Sequence, residues 1–155
     1  MGTSTHLGDG RAQAEIQQRI SRLHPDAVRL WGVMSVHQML VHLRDTYDIG
    51  LGRRKATPVR NPLPAGLMRW LALRAPVRWP KNTPTMVEVK QGAGGTTPVD
   101  FERDRAALEL TVREFAAAGA QLARQPHPFF GALTAEQWLR WGYLHADHHL
   151  RQFSA

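Results

Sequence analysis

Three of the eight histidines, His145, His148 and His149, fall within the stretch WGYLHADHHLRQF. Near neutral pH an imidazole can ligate a metal, carry a proton or simply sit as a polar group at a helix end. At 3.6 residues per turn, His145 and His149 stack one turn apart on one helical face, and His148 falls to the side. Two such rings can converge on one ion, with nitrogen–metal distances of roughly 2.0–2.1 Å for zinc. The pair alone does not define a site, because many histidine pairs at this spacing are surface accidents. The HExxH protease motif is excluded, since Ala146 stands where its glutamate would be.

A third ligand must come from another helix. His42 lies one residue off the apolar stripe of an earlier helix, the position that matches His145 and His149. The set His42, His145 and His149 would leave coordination positions open for water or substrate. Asp45 and Asp48 are nearby carboxylates that could orient or add to the ligands. His148, Asp45 and Gln38, one turn before His42, are candidates to steer ligands or move protons. Trp138, Trp141 and Gln152 are candidate contacts for a bound cofactor or substrate, and Gln152 shares the stripe of His145 and His149. Large aromatics on a helix more often serve the core, and that reading stands beside the first for both tryptophans. His37 faces away from His42, and His24 and His127 precede prolines and read as loop residues.

Four substantial helices would carry these residues. Ala12, Ile16, Ile20 and Leu23 mark the first, from Asp9 to about His24, and Asp9 can cap it. Ser35 caps the second, to about Leu51, with a core stripe of Val36, Leu40, Leu43 and Tyr47. Seven prolines between 53 and 100 forbid long helices there. LMRWLALRA suits one or two turns, and MVEVK alternates weakly. The third helix runs from Pro98 to about Arg124, with Asp100 as cap. Thr134 and Gln137 form a capping box for the fourth, Ala135 to Phe153, with a core stripe of Leu139, Tyr143, Ala146, Leu150 and Phe153. Four helices with little strand signal predict an all-α bundle, and the long interval between the second and third predicts a crossover connection.

Composition bounds the function. The chain has 155 residues, room for one domain with a real core. Residues 1–9 read as a flexible lead and 10–155 as that domain. Without cysteine there is no disulfide and no thiol nucleophile, so a metal must be held by nitrogen and oxygen. No apolar run spans a membrane and no apolar leader is seen, which makes the cytoplasm the expected compartment. The net charge of +7 belongs to one segment: residues 51–90 hold nine Lys/Arg and one acid. That segment reads first as a solvated basic connector, and it could also receive an anionic small-molecule substrate or an acidic partner. Nucleic acid is disfavoured as a partner, because aromatics are not interleaved with the charges. The apolar piece LMRWLAL suits a homodimer contact.

MSVHQMLVHLRD around His42, RWPKNTP in the connector and HPFFGALTAEQWLRWGYLHADHHLRQF at the end together resemble the DinB-like (damage-inducible B) superfamily of metal-binding helical bundles. The likeness is strongest to a branch known only as a domain of unknown function, and it covers the chain from about position 10. The resemblance implies an up-down-down-up four-helix bundle with a long connection between its second and third helices. It implies a metal triad of one histidine on the second helix and an HxxxH pair on the last, which fall on His42, His145 and His149. It also implies a divalent ion, zinc first, with nickel, iron or manganese as alternatives, and a reaction of transferase, isomerase or hydrolase type. A low-molecular-weight thiol is the cofactor that the better understood relatives use. The expected function is therefore a metal-dependent enzyme in which water or a thiol is activated towards a small molecule. The competing expectation is a non-catalytic metal- or ligand-binding module.

Overall fold

The computed structural model describes residues 5–155, and the fold is all-α with very little strand. Helix α1 spans Gly10–Ser21, and the Asp9 carboxylate accepts the Arg11 N–H at its start. Helix α2 spans Val36–Gly50 and opens on a capping box, in which Ser35 accepts the Gln38 N–H and the Gln38 side chain accepts the Ser35 N–H. Helix α3, Ala65–Leu73, is the short apolar-basic piece between prolines. Within MVEVK, Val87–Val89 form a 3₁₀ turn. Helix α4 spans Phe101–Ala117 under an Asp100 cap and ends earlier than expected, because Gly119–Arg124 tighten into 3₁₀ turns after it. Two-residue strands β1 (Pro126–His127) and β2 (Gly131–Ala132) pair antiparallel across the HPFFGA bend. Helix α5, Ala135–Arg151, opens on the Thr134–Gln137 capping box. Among the described residues no helix is long and apolar enough to cross a membrane.

The four longer helices pack on one another. Helix α2 lies against α4 and α5, and α1 lies against the same two. Helix α2 sits deepest: Val36, Leu40, Leu43 and Tyr47 are buried as expected, and so are Met39, His42, Thr46 and Ile49 beside them. On α5 the buried face is turned from the expected stripe. Trp138, Trp141, Gly142, Ala146 and Leu150 are buried, whereas Leu139 and Tyr143 are only half-buried. The reason lies at Gly142. A Cβ there would stand 2.8 Å from Phe115, 3.0 Å from Leu7 and 3.2 Å from Tyr47. The absent side chain lets α2 and α4 close on this face, and the Tyr47 hydroxyl donates to the Gly142 carbonyl at 2.8 Å. Ala146, Leu150 and Phe153 of the expected stripe are buried, and from there the core extends through Gly142, Trp138 and Trp141 toward the face that carries the histidines.

Part of the expected lead, 1–9, is packed against the helices. Leu7 is fully buried, and its N–H donates to the Leu139 carbonyl at 3.2 Å. Residues 1–4 of that lead lie outside the described residues. The connector between α2 and α4 is irregular but firmly tied. Arg54 donates to the carbonyls of Glu88 and Gly94, to the Asp45 carboxylate and to the Thr96 hydroxyl. Leu67, Trp70 and Leu71 on α3 stay exposed.

Candidate metal centre

Helices α2 and α5 bring His42, His145 and His149 together, so that one ring nitrogen of each lies within 4.8 Å of the others. His42 is buried, and His149 is half-buried. The nearest approach is 3.1 Å, between Nε2 of His145 and Nε2 of His149.

Three different acceptors hold the other nitrogen of each ring. His42 Nδ1 lies 3.0 Å from the Val89 carbonyl, which can only accept, so His42 carries its proton on Nδ1. Thr46 gives its hydroxyl proton to the Leu43 carbonyl at 2.8 Å, so its oxygen accepts from His145 Nδ1 at 3.3 Å. The Gln152 amide nitrogen donates to the Trp31 carbonyl at 2.6 Å, which turns its oxygen to accept from His149 Nδ1 at 3.1 Å. All three rings thus keep Nε2 unprotonated. Hydrogen bonds of this kind fix the tautomer and aim of a ligating imidazole.

The rings are also neutral. Burial lowers the pKa of His42. Burial, and then repulsion from the neighbouring imidazoles, holds His145 and His149 well below the usual histidine value. At neutral pH the cluster therefore presents three imidazole lone pairs and no ring charge. Two unprotonated nitrogens 3.1 Å apart repel each other unless a cation lies between or beside them. A borderline-soft divalent ion such as zinc suits an all-nitrogen donor set. The residues fit a metal.

The other expected residues divide. Gln152 touches His149 directly, as above. Trp141 packs its ring 4.8 Å from that of His145 and walls the cluster. His148 is half-buried, its ring 5.2 Å from that of His149, and it faces a cleft beside the triad. Trp138 is no pocket wall: it is fully buried, and its indole N–H donates to the Gln125 carbonyl at 3.1 Å. Gln38 is not at the cluster either, because its side-chain oxygen is used by the Ser35 N–H in the α2 capping box. Asp45 is fully buried and bound elsewhere. One oxygen accepts from Arg54 at 2.9 Å and from the Thr96 hydroxyl at 2.6 Å, and the other accepts the Thr96 N–H at 2.7 Å. With its oxygens so occupied, Asp45 anchors the connector. It acts on the cluster indirectly, by holding the segment that delivers the Val89 carbonyl to His42.

Sequence reasoning missed Val89, Thr46 and Trp79 as parts of this neighbourhood. Trp79 lies 6.0 Å from the His145 ring and 6.1 Å from the His148 ring, and its N–H donates to the Ala72 carbonyl at the end of α3. RWPKNTP was the one signal for it. No curated protein and no solved structure matches the chain. A family model described as protein of unknown function (DUF1569) matches residues 9–155, nearly the whole chain, and the chain belongs to that family.

Proposed function

We propose that the protein is a divalent-metal-dependent enzyme acting on a small molecule, with His42, His145 and His149 as the ligands. The observation that carries the reading is the shared tautomer: three unrelated acceptors leave three neutral imidazoles with Nε2 free and converging. The chemistry that a divalent ion supplies at such a site is Lewis acidity, which makes water or a small thiol nucleophilic near neutral pH. The chain's own residues do the rest. Val89, Thr46 and Gln152 hold the ligand rings, Trp141 and Trp79 limit water, and His148 stands at the open side, where it can accept or return a proton. Transferase, isomerase and hydrolase reactions all fit this arrangement, with a low-molecular-weight thiol as cofactor in the first two.

The fold belongs to the same reading. The packing of α2 on α4 and α5, and of α1 on the same pair, supports an up-down-down-up bundle of the DinB-like kind. So does the connector of residues 51–100 between α2 and α4.

The test is metal analysis of tag-free protein beside His145→Ala. Wild type should hold about one equivalent of zinc or nickel and melt higher when the ion is added to metal-free protein. The variant should hold less than a tenth of an equivalent. Wild type that holds under a tenth and shows no thermal shift rules the reading out. Cobalt-substituted protein then separates an enzyme from a binding module. A visible spectrum that changes on adding a small thiol supports open coordination, and one that does not move supports the module.

A further inference from the structure

Beside the triad lies a cleft of about 270 Å³ whose lining includes Trp31, Trp79, Arg78, Lys81, His148 and Arg151. Its walls are two indoles and its rim is cationic. The backbone at Trp31 is held by Gln152, whose carbonyl accepts the Leu30 N–H at 2.7 Å and whose side chain donates to the Trp31 carbonyl. Trp79 is fixed to Ala72 and leans over both His145 and His148. Lys81 stands 4.6 Å from the Trp31 ring centre, and the left-handed Asn82 (φ 58°) turns the chain after it. The three cations differ in their partners. Arg151 is already paired, through Asp147 at 2.9 Å, and Asp147 also takes Arg19. Arg78 and Lys81 pair with no carboxylate among the described residues and sit in the segment that carries the excess positive charge.

Unpaired cations beside fixed aromatic walls favour an anion attached to a flat apolar body. The charge meets Arg78 and Lys81, and the body stacks between the indoles. We propose that this cleft is the substrate subsite and that its ligand is a small organic anion bearing one or two aromatic rings. The far end of such a ligand reaches the triad past His148 and Trp79. The inference rests on the triad reading for its link to chemistry, but anion binding in the cleft stands on Trp31, Trp79, Arg78 and Lys81 alone.

The experiment is calorimetric titration of zinc-loaded wild type, of His145→Ala and of an R78Q/K81Q double variant. The probes are 2-naphthoate, phenylacetate and phenyl phosphate, with 2-naphthamide and phenylacetamide as neutral counterparts. At least one anion should bind wild type tenfold or more tighter than the neutral amides. R78Q/K81Q should lose tenfold or more of that affinity while keeping its zinc content and thermal midpoint. Trp79→Leu, tested in the same way, should weaken binding of 2-naphthoate more than that of phenylacetate. Retained anion binding in His145→Ala supports the cleft even if wild type proves to hold no metal, so the two readings can fail separately. The proposal is overturned if none of the three anions binds below millimolar concentration, or if the amides bind as well as the acids. It is also overturned if R78Q/K81Q binds like wild type while His145→Ala does not, since the anion would then be a metal ligand only.

Discussion

Gln152 is held at both ends. Its amide nitrogen donates to the Trp31 carbonyl and its oxygen takes the His149 Nδ1 proton, so neither end is free to turn. That closeness depends on Gly32, which has φ +83° and where a Cβ would stand 2.3 Å from the Gln152 amide nitrogen. Gln152→Leu keeps the bulk and removes the acceptor. Losses of this kind weaken a metal site by about 10–100-fold, and competition with a zinc chelator should read a drop in that range. Gly32→Ala should act in the same direction, because it forces a left-handed non-glycine residue and displaces the amide. Gln152 was visible in the sequence because it is a polar residue one turn after His149 on the same face. The Val89 carbonyl was not, since a backbone acceptor delivered by an irregular segment leaves no side-chain signature. Gln38 shows the opposite error. Its spacing from Ser35 is the capping pattern also present at Thr134 and Gln137, and the cap takes the side chain before any site can.

The connector is tied to the helices that carry the three histidines. Asp45 is the point where α2 grips it, through Arg54, the Thr96 hydroxyl and the Thr96 N–H. Arg54 then reaches the Glu88 carbonyl, one residue before the one that holds His42. Removing a buried carboxylate from such a network leaves its partners unpaired, at about 3–5 kcal/mol. Arg54 is partly open to water and can turn outward, so Asp45→Ala should cost about 3 kcal/mol. Chemical denaturation checks the cost. The same variant should bind zinc more weakly, because Val89 is no longer held against His42. A variant that loses stability but keeps full zinc affinity would separate Asp45 from the cluster. The helices were legible from periodicity and caps: Asp9, Ser35, Asp100 and Thr134 each cap the helix expected of them. The connector was legible only as proline-rich. Its ties include the bonds of Arg54 and Asp45 to residues distant in sequence, which no local pattern encodes. The turned face of α5 escaped for a related reason: Gly142 has no hydropathy to mark it, yet it is where three helices meet.

At the scale of the whole molecule, the core is built around imidazoles that must stay neutral, and this makes the fold sensitive to acid. His127 is the clearest case outside the triad. It is buried, stacked 4.5 Å from Phe130 and wedged against Trp138 and Trp141, and burial pushes its pKa down to about 3. An unfolded histidine titrates near 6.5. Between those two values the unfolded chain binds a proton that the native chain does not. Stability is therefore full above about pH 6.5 and is lost as the pH falls through that window. From pH 7 to pH 5 the loss from this one group is about 2 kcal/mol, at 1.36 kcal/mol per pKa unit. His42, His145 and His149 are pushed in the same direction and add to the slope. The contribution of His127 is isolated by His127→Phe. That change also removes the acceptor of the Phe129 N–H, a cost that does not vary with pH. Urea unfolding of both proteins at pH 7 and pH 5, under the same metal conditions, should show wild type losing about 2 kcal/mol more than the variant. Equal losses would mean that His127 is protonated in the native state, and that the aromatic box around it opens far enough to admit water.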